Sequence, residues 1–215
     1  MAKNKLKKPK QQLKTSAHTI SQDYQPLAIA THTNPLVSIV IPVYNQFKHT
    51  YHCLESLARL TDKTSFEVVV VDDCSTDETK EAIKNISGIT YHRQVENGGF
   101  IESCNTGARM AKGEFLLFLN NDTEVLAGWL DELVVTFEQQ ADAGLVGSQL
   151  LYPDGRLQEA GGIVFSDASG WNYGRLEAPE APEYQHLREA TYISGASIMI
   201  KAALFKQLGY FDERY

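Results

Sequence analysis

VVVVDDCSTDE, Val68 to Glu78, is the stretch whose reading decides the fold of this chain. Four consecutive valines cannot separate a polar face from an apolar one. The run therefore reads as a strand covered on both sides, as at the centre of a parallel sheet. It ends on Asp72 and Asp73. Ser75 and Glu78, three residues apart, have the spacing of a capping box, which predicts a helix from about Thr76 to Ile86. Open α/β sheets bind ligands at the carboxyl ends of such strands, so Asp72 and Asp73 are candidate site residues. Turn and capping chemistry also enriches Asp at these positions, so a second strand end is needed to weigh the two readings.

Upstream, VSIVIPV (Val37 to Val43) predicts another strand, with Pro42 at its end because proline has no N–H for a ladder. Phe47, Tyr51, Leu54, Leu57 and Leu60 recur at intervals of three and four, an amphipathic helix over Gln46 to Leu60. Strand, helix and strand make a right-handed βαβ unit. Downstream lie a short strand (Ile89 to His92), a turn at Asn97, Gly98 and Gly99, and a helix from Phe100 to Ala111 stopped near Gly113. FLLFL, Phe115 to Leu119, is a further buried strand and ends on Asn120, Asn121 and Asp122.

This second acidic strand end shifts the balance toward function. Parallel strands share one carboxyl edge, so Asp72, Asp73 and Asp122 are expected around one crevice. Clustered carboxylates need a hard cation, Mg2+ or Mn2+, which also takes phosphate oxygens. The first strand-to-helix turn reads PVYNQF and contains neither G-x-G-x-x-G nor a P-loop. Its Tyr44 and Asn45 are placed to flank a flat base.

Further on, Gly128 to Gln140 reads as a helix with Trp129, Leu130, Leu133, Val134 and Phe137 inward, and Leu145 to Leu151 as a strand. Tyr152 to Gly155 is a turn. Residues 166 to 190 read as a loop whose Trp171, Tyr173 and Tyr184 either stack on a sugar or pin the loop. Tyr192 to Ile200 precedes a helix over Lys201 to Leu208.

Composition fits a globular protein, with 43% hydrophobic and 22% charged residues, and no window suits a membrane span or secretory signal. Cys53, Cys74 and Cys104 are too dispersed for a metal cluster and suit free thiols. Six lysines and no acid fall in the first fourteen residues, so the remainder carries −13 of a net −7. An acidic body excludes a nucleic-acid face. Residues 1–34 read as a lysine-rich tail or linker, either solvated or touching an anionic membrane surface, with the domain from 35 to 215.

Four segments in this order, VSIVIPVYN, VVVVDDCSTDET, ENGGFIESCNTGARMAKGEFLLFLNNDTEV and GASIMIKAALFKQLGYFDE, resemble the family 2 glycosyltransferases over roughly Pro35 to Tyr215. The resemblance implies an α/β domain of GT-A type, with a Rossmann-like, mostly parallel central sheet and helices on both faces. It implies transfer of a sugar, with inversion, from a UDP- or dTDP-sugar to a glycan or lipid-linked acceptor. Pro42 and Tyr44 would border the base, and Asp73 would bond its edge with Asp72 behind. Asn97, Gly98, Asn105 and Gly107 would line the donor side, with Arg109 leaning on it; by their residue types alone, Asn105 and Arg109 are equally helix-surface residues. Asn120, Asn121 and Asp122 match the family's D-x-D position, with Asp122 as ligand of Mn2+ or Mg2+ and Asn121 near the ribose. The two asparagines depart from that pattern and bring oxygen without charge.

The family's general base sits in a Glu-Asp pair beyond the Phe211-Asp212-Glu213 motif, and no acid up to Tyr215 matches it. The expectation is therefore a domain incomplete at its C-terminus. Polysaccharide assembly in the cytoplasm or at the inner face of the membrane follows from the family, with further domains of a longer chain as partners. The alternative is a nucleotide-sugar-binding or scaffolding module without catalysis.

Overall fold

The computed structural model describes residues 24–214, so the lysine-rich head lies outside the described residues. The described residues open with β1 (Leu27–Ala28) and continue through β2 (Val37–Val43), α1 (Phe47–Ala58) and β3 (Phe66–Asp72), the expected βαβ unit. Then follow α2 (Thr79–Ala82), β4 (Ile86–Ser87), β5 (Thr90–Arg93), α3 (Gly99–Met110) and β6 (Phe115–Leu119). α4 (Trp129–Gln139) leads to β7 (Leu145–Gly147) and to two small hairpin-like pairs. These are β8 (Leu150–Leu151) with β9 (Leu157–Glu159), and β10 (Gly162–Val164) with β11 (Gly170–Asn172). β12 (Ser197–Lys201) and α5 (Ala202–Gln207) complete the order.

Six strands form one sheet in the order β5-β3-β2-β6-β12-β7. β5, β3, β2 and β6 are mutually parallel, while β12 runs antiparallel to β6 and to β7. The period-two alternation of buried strands explains the two layers of helices. Ile39, Ile41, Val70 and Leu117 face Leu54 of α1 and Leu130 of α4 in one cluster. Val40, Leu116 and Phe118 face Cys104 of α3 and Phe205 of α5 in the other. Each fully buried aliphatic side chain contributes about 1.5–3 kcal/mol. α3 approaches the sheet at Gly107, where an added Cβ would meet Cγ1 of Val40 at 2.3 Å.

Several expectations are corrected. The helix expected from Thr76 to Ile86 is only α2 followed by a 3-10 turn, Ile83–Asn85. No capping box forms, because the Ser75 hydroxyl accepts the Asn45 N–H at 2.8 Å; a tertiary clasp outcompetes the local cap. The folded body begins before Pro35. β1 pairs with β4, Ile29 is 4% exposed, and the Tyr24 ring meets Phe47 edge-on. A few apolar anchors in a polar segment escaped a reading based on sustained periodicity.

Pro42 lies inside β2 opposite Val71, but past Val40, the last residue paired to β6, so its missing donor falls where one neighbour remains. Leu145 to Leu151 is two strands rather than one. The chain leaves the sheet at Ser148, whose Oγ lies 2.7 Å from that of Ser197. Between residues 166 and 190, Tyr173 packs edge-on against Tyr184 and carries the Arg188 guanidinium over its ring, so both tyrosines pin the segment. Trp171 remains 61% exposed.

Candidate active site

Four loops leave the carboxyl edge of the parallel strands, after β2, β3, β5 and β6. The loop after β3 is clasped to those after β2 and β5 by side chains that sequence pattern alone does not pair. The Asn45 carboxamide oxygen accepts the Thr76 N–H at 2.7 Å, and the Phe47 N–H donates to Asp77 at 3.2 Å. Asn45, Gln46 and Cys74 all have left-handed backbones, three of the six non-glycine residues with positive φ among the described residues. Such conformations cost roughly 1–3 kcal/mol each and gather where a loop must hold a particular shape. Tyr44 stands out from this edge with 54% of its surface exposed, and Pro42, two residues earlier, is buried.

The two acids after β3 have different work. Asp72 has no exposed surface; its Oδ1 accepts the Ser75 N–H at 2.8 Å, and its Oδ2 accepts the Tyr91 hydroxyl at 2.6 Å and a guanidinium N–H of Arg93. Burial pushes its pKa up, but the hydrogen bonds from Ser75, Tyr91 and Arg93 outweigh burial and leave it below the usual carboxylate range. Asp73 is 4% exposed. Its Oδ1 accepts the Gly98 N–H at 2.8 Å and the Gln94 amide at 3.2 Å, while Oδ2 accepts, among the described residues, only the Gly99 N–H at 2.9 Å. Asp73 thus caps the positive end of α3. Oδ2 keeps one acceptor position. Asn97 donates to the Asp73 carbonyl at 3.2 Å.

β2 lies between β3 and β6, so the ends of those strands share one edge about two strand spacings, or ~10 Å, apart. Asn121 donates to Thr50 of α1 at 3.0 Å, which turns its side chain down against the helix. Asp122 is exposed and makes no hydrogen bond or ion pair among the described residues.

The expected gathering of Asp72, Asp73 and Asp122 around one cation is not met. No group of three His, Cys, Asp or Glu suited to a metal occurs among the described residues; Asp72 is held by Arg93 and Tyr91, and Asp73 is turned to the start of α3. The donor set that remains, the Asp122 carboxylate with neighbouring amide oxygens, fits a divalent ion shared with a diphosphate rather than one caged by protein.

Two residues expected on the donor side face elsewhere. Asn105 is 1% exposed and is taken up by Phe211, and Gly107 is the contact point of α3 with the sheet. Arg109 pairs with Glu213 at 3.3 Å and lies over Tyr210. Sequence reading missed Tyr91 and Arg93. Their i, i+2 spacing, which puts both on one face of the strand beside β3, is the signal that was there to find. A cleft of about 680 Å³ lies away from these loops, along β7 and beside Arg188.

The model of the family described as "Glycosyl transferase family 2" matches residues 38–208. The chain belongs to this family. Among its relatives, the O-antigen biosynthesis protein RfbC of Myxococcus xanthus is 33% identical over 193 residues, covering 84% of this chain and 15% of that protein. The poly(ribitol-phosphate) β-N-acetylglucosaminyltransferase TarS of Staphylococcus aureus is 38% identical over 90 residues, 40% of this chain and 16% of that one.

The solved structure of TarS residues 1–349 with UDP superposes with a TM-score of 0.59 at 28% identity, over 83% of this chain and 50% of that one. The mannosyltransferase PcManGT of Pyrobaculum calidifontis, solved with GDP-Man and Mn2+, has a TM-score of 0.60 at 21% identity over 88% and 51%, and shows the shared fold alone. The sheet is accordingly that of a GT-A glycosyltransferase, and the chain spans about half the length of these solved chains. No helix among the described residues is long and apolar enough to cross a membrane.

Proposed function

We propose that this chain binds a nucleotide-diphosphate sugar across the carboxyl edge of β3, β2 and β6 and serves its transfer, with inversion, to a hydroxyl of a glycan or lipid-linked acceptor. The observation that carries the reading is the clasped pair of left-handed loops at Asn45 and Cys74, which sets Tyr44 and Asp73 on the edge that also presents Asp122. Tyr44 offers its ring to a base, and Asp73 Oδ2 offers its remaining acceptor position to a pyrimidine N–H, which favours UDP or dTDP. The UDP complex of TarS supports the nucleotide class.

Asp122, with the Asn120 and Asn121 amides nearby, would hold Mn2+ or Mg2+; when bound, the ion supplies positive charge to the departing diphosphate. In the transfer the acceptor oxygen bonds to the anomeric carbon, the bond from that carbon to the diphosphate breaks, and a carboxylate takes the hydroxyl proton. The reading places this chemistry in surface polysaccharide assembly.

One observation favours the second reading, a nucleotide-sugar-binding module without catalysis. The acids of the last described segment are already paired, Asp212 with Arg214 and Glu213 with Arg109, so neither is a free base. Calorimetric titration with UDP, dTDP and their sugars, with and without Mn2+, followed by an assay of sugar release, tests both. Binding with release supports the first reading and binding without release the second. Absence of binding by every nucleotide refutes both.

A further inference from the structure

We infer that Arg93 is a positioning residue of the nucleotide site, fixing the turn that aims Asp73; this rests on the reading that Asp73 meets the base. Arg93 ends β5 directly opposite Asp72 in the strand register. Its Nη1 bonds the fully buried Asp72 carboxylate, and its Nη2 donates to the Ser75 carbonyl at 2.8 Å. Asp72 in turn accepts the Ser75 N–H at 2.8 Å, so one planar cation and one carboxylate close both ends of the turn from residue 72 to 75.

The two residues inside that turn are Asp73 and Cys74. Cys74 has φ 62°, a conformation that a side chain bearing Cβ disfavours, so the turn needs restraint from outside itself. The restraint decides where Asp73 points. Its neighbours on the far side, the Gly98 and Gly99 amides, fix the carboxylate only if the turn delivers it to them. A guanidinium serves because its rigid planar fork reaches a side chain and a carbonyl together in fixed directions, whereas the three donors of an ammonium radiate from one point on a flexible stem.

The test compares wild type, Arg93→Lys and Arg93→Ala in the whole 215-residue chain, by calorimetric titration with UDP and by thermal unfolding. Arg93→Lys keeps the charge pair with Asp72 and is expected to keep most of the unfolding midpoint, yet lose about tenfold or more in UDP affinity, as misaimed groups do. Arg93→Ala is expected to lose both. Wild-type affinity in a folded Arg93→Lys overturns the inference, as does an affinity loss confined to variants that have lost their fold. Wild-type protein that binds no UDP overturns the nucleotide reading itself, a separate failure.

Discussion

The side-chain amide of Asn105 grips the backbone of Phe211 at both ends: Oδ1 accepts the Phe211 N–H and Nδ2 donates to the Phe211 carbonyl, each at 3.0 Å. The pair ties α3 to the segment after α5, while the other end of α3 is tied to Asp73. Asn105→Ala leaves the half-buried N–H and carbonyl of Phe211 without this partner and is expected to destabilise the fold by about 1–3 kcal/mol in urea unfolding, with UDP affinity unchanged. Weakened UDP binding at full stability would return Asn105 to the donor side.

Asp72 links the site to acid stability. Its folded pKa lies below its ordinary value of about 3.9, so the stability from its ionised form is complete above that pH and is lost as pH falls through the lower folded value. Urea unfolding between neutral pH and about pH 3 should show a shallower acid loss in Asp72→Asn, from a lower starting stability, than in wild type. Parallel curves would show that Asp72 carries no such linkage.

Gly107 is a packing prediction. Its missing Cβ lets α3 rest on Val40 and Val71, so Gly107→Ala should cost about 1–3 kcal/mol despite the better helix propensity of alanine. A more stable Gly107→Ala protein, measured by thermal unfolding, would mean that α3 shifts freely outward.

Asp122 and Asp73 should separate in metal dependence. Asp122→Ala is expected to bind UDP as wild type does without metal and to gain nothing when Mn2+ is added. Asp73→Ala should weaken UDP in both conditions, since it loses the base contact and the cap of α3 together. Titrations of the two variants with and without Mn2+ distinguish these patterns, and identical behaviour would refute the division of roles.

Much of this architecture is legible in the residues. The unbroken apolar runs at Val68 and Phe115 and the period of the helix after Val43 give the buried parallel strands and the layers they require. The shared carboxyl edge follows from parallel topology, which puts the ends of β3 and β6, about fifty positions apart, on one rim. What the sequence conceals is which oxygen each polar group satisfies. Asp72, Asp73 and Ser75 are identical in composition whether they bind a cation, cap a helix or brace a turn. Only the positions of Arg93, Gly98 and Asn45 decide among these. Similarly, Asn105 and Gly107 sit on the inner face of α3, and a helix whose moment is shared between sheet and neighbouring segment does not announce which contacts it makes.

The most direct measurement is a crystal structure of this chain with UDP and Mn2+, recorded at a wavelength where manganese scatters anomalously. The uracil is expected beside Tyr44 with its N–H toward Asp73, and the manganese peak beside Asp122. A nucleotide seated elsewhere, such as the cleft along β7, or a manganese peak apart from Asp122, would contradict this placement.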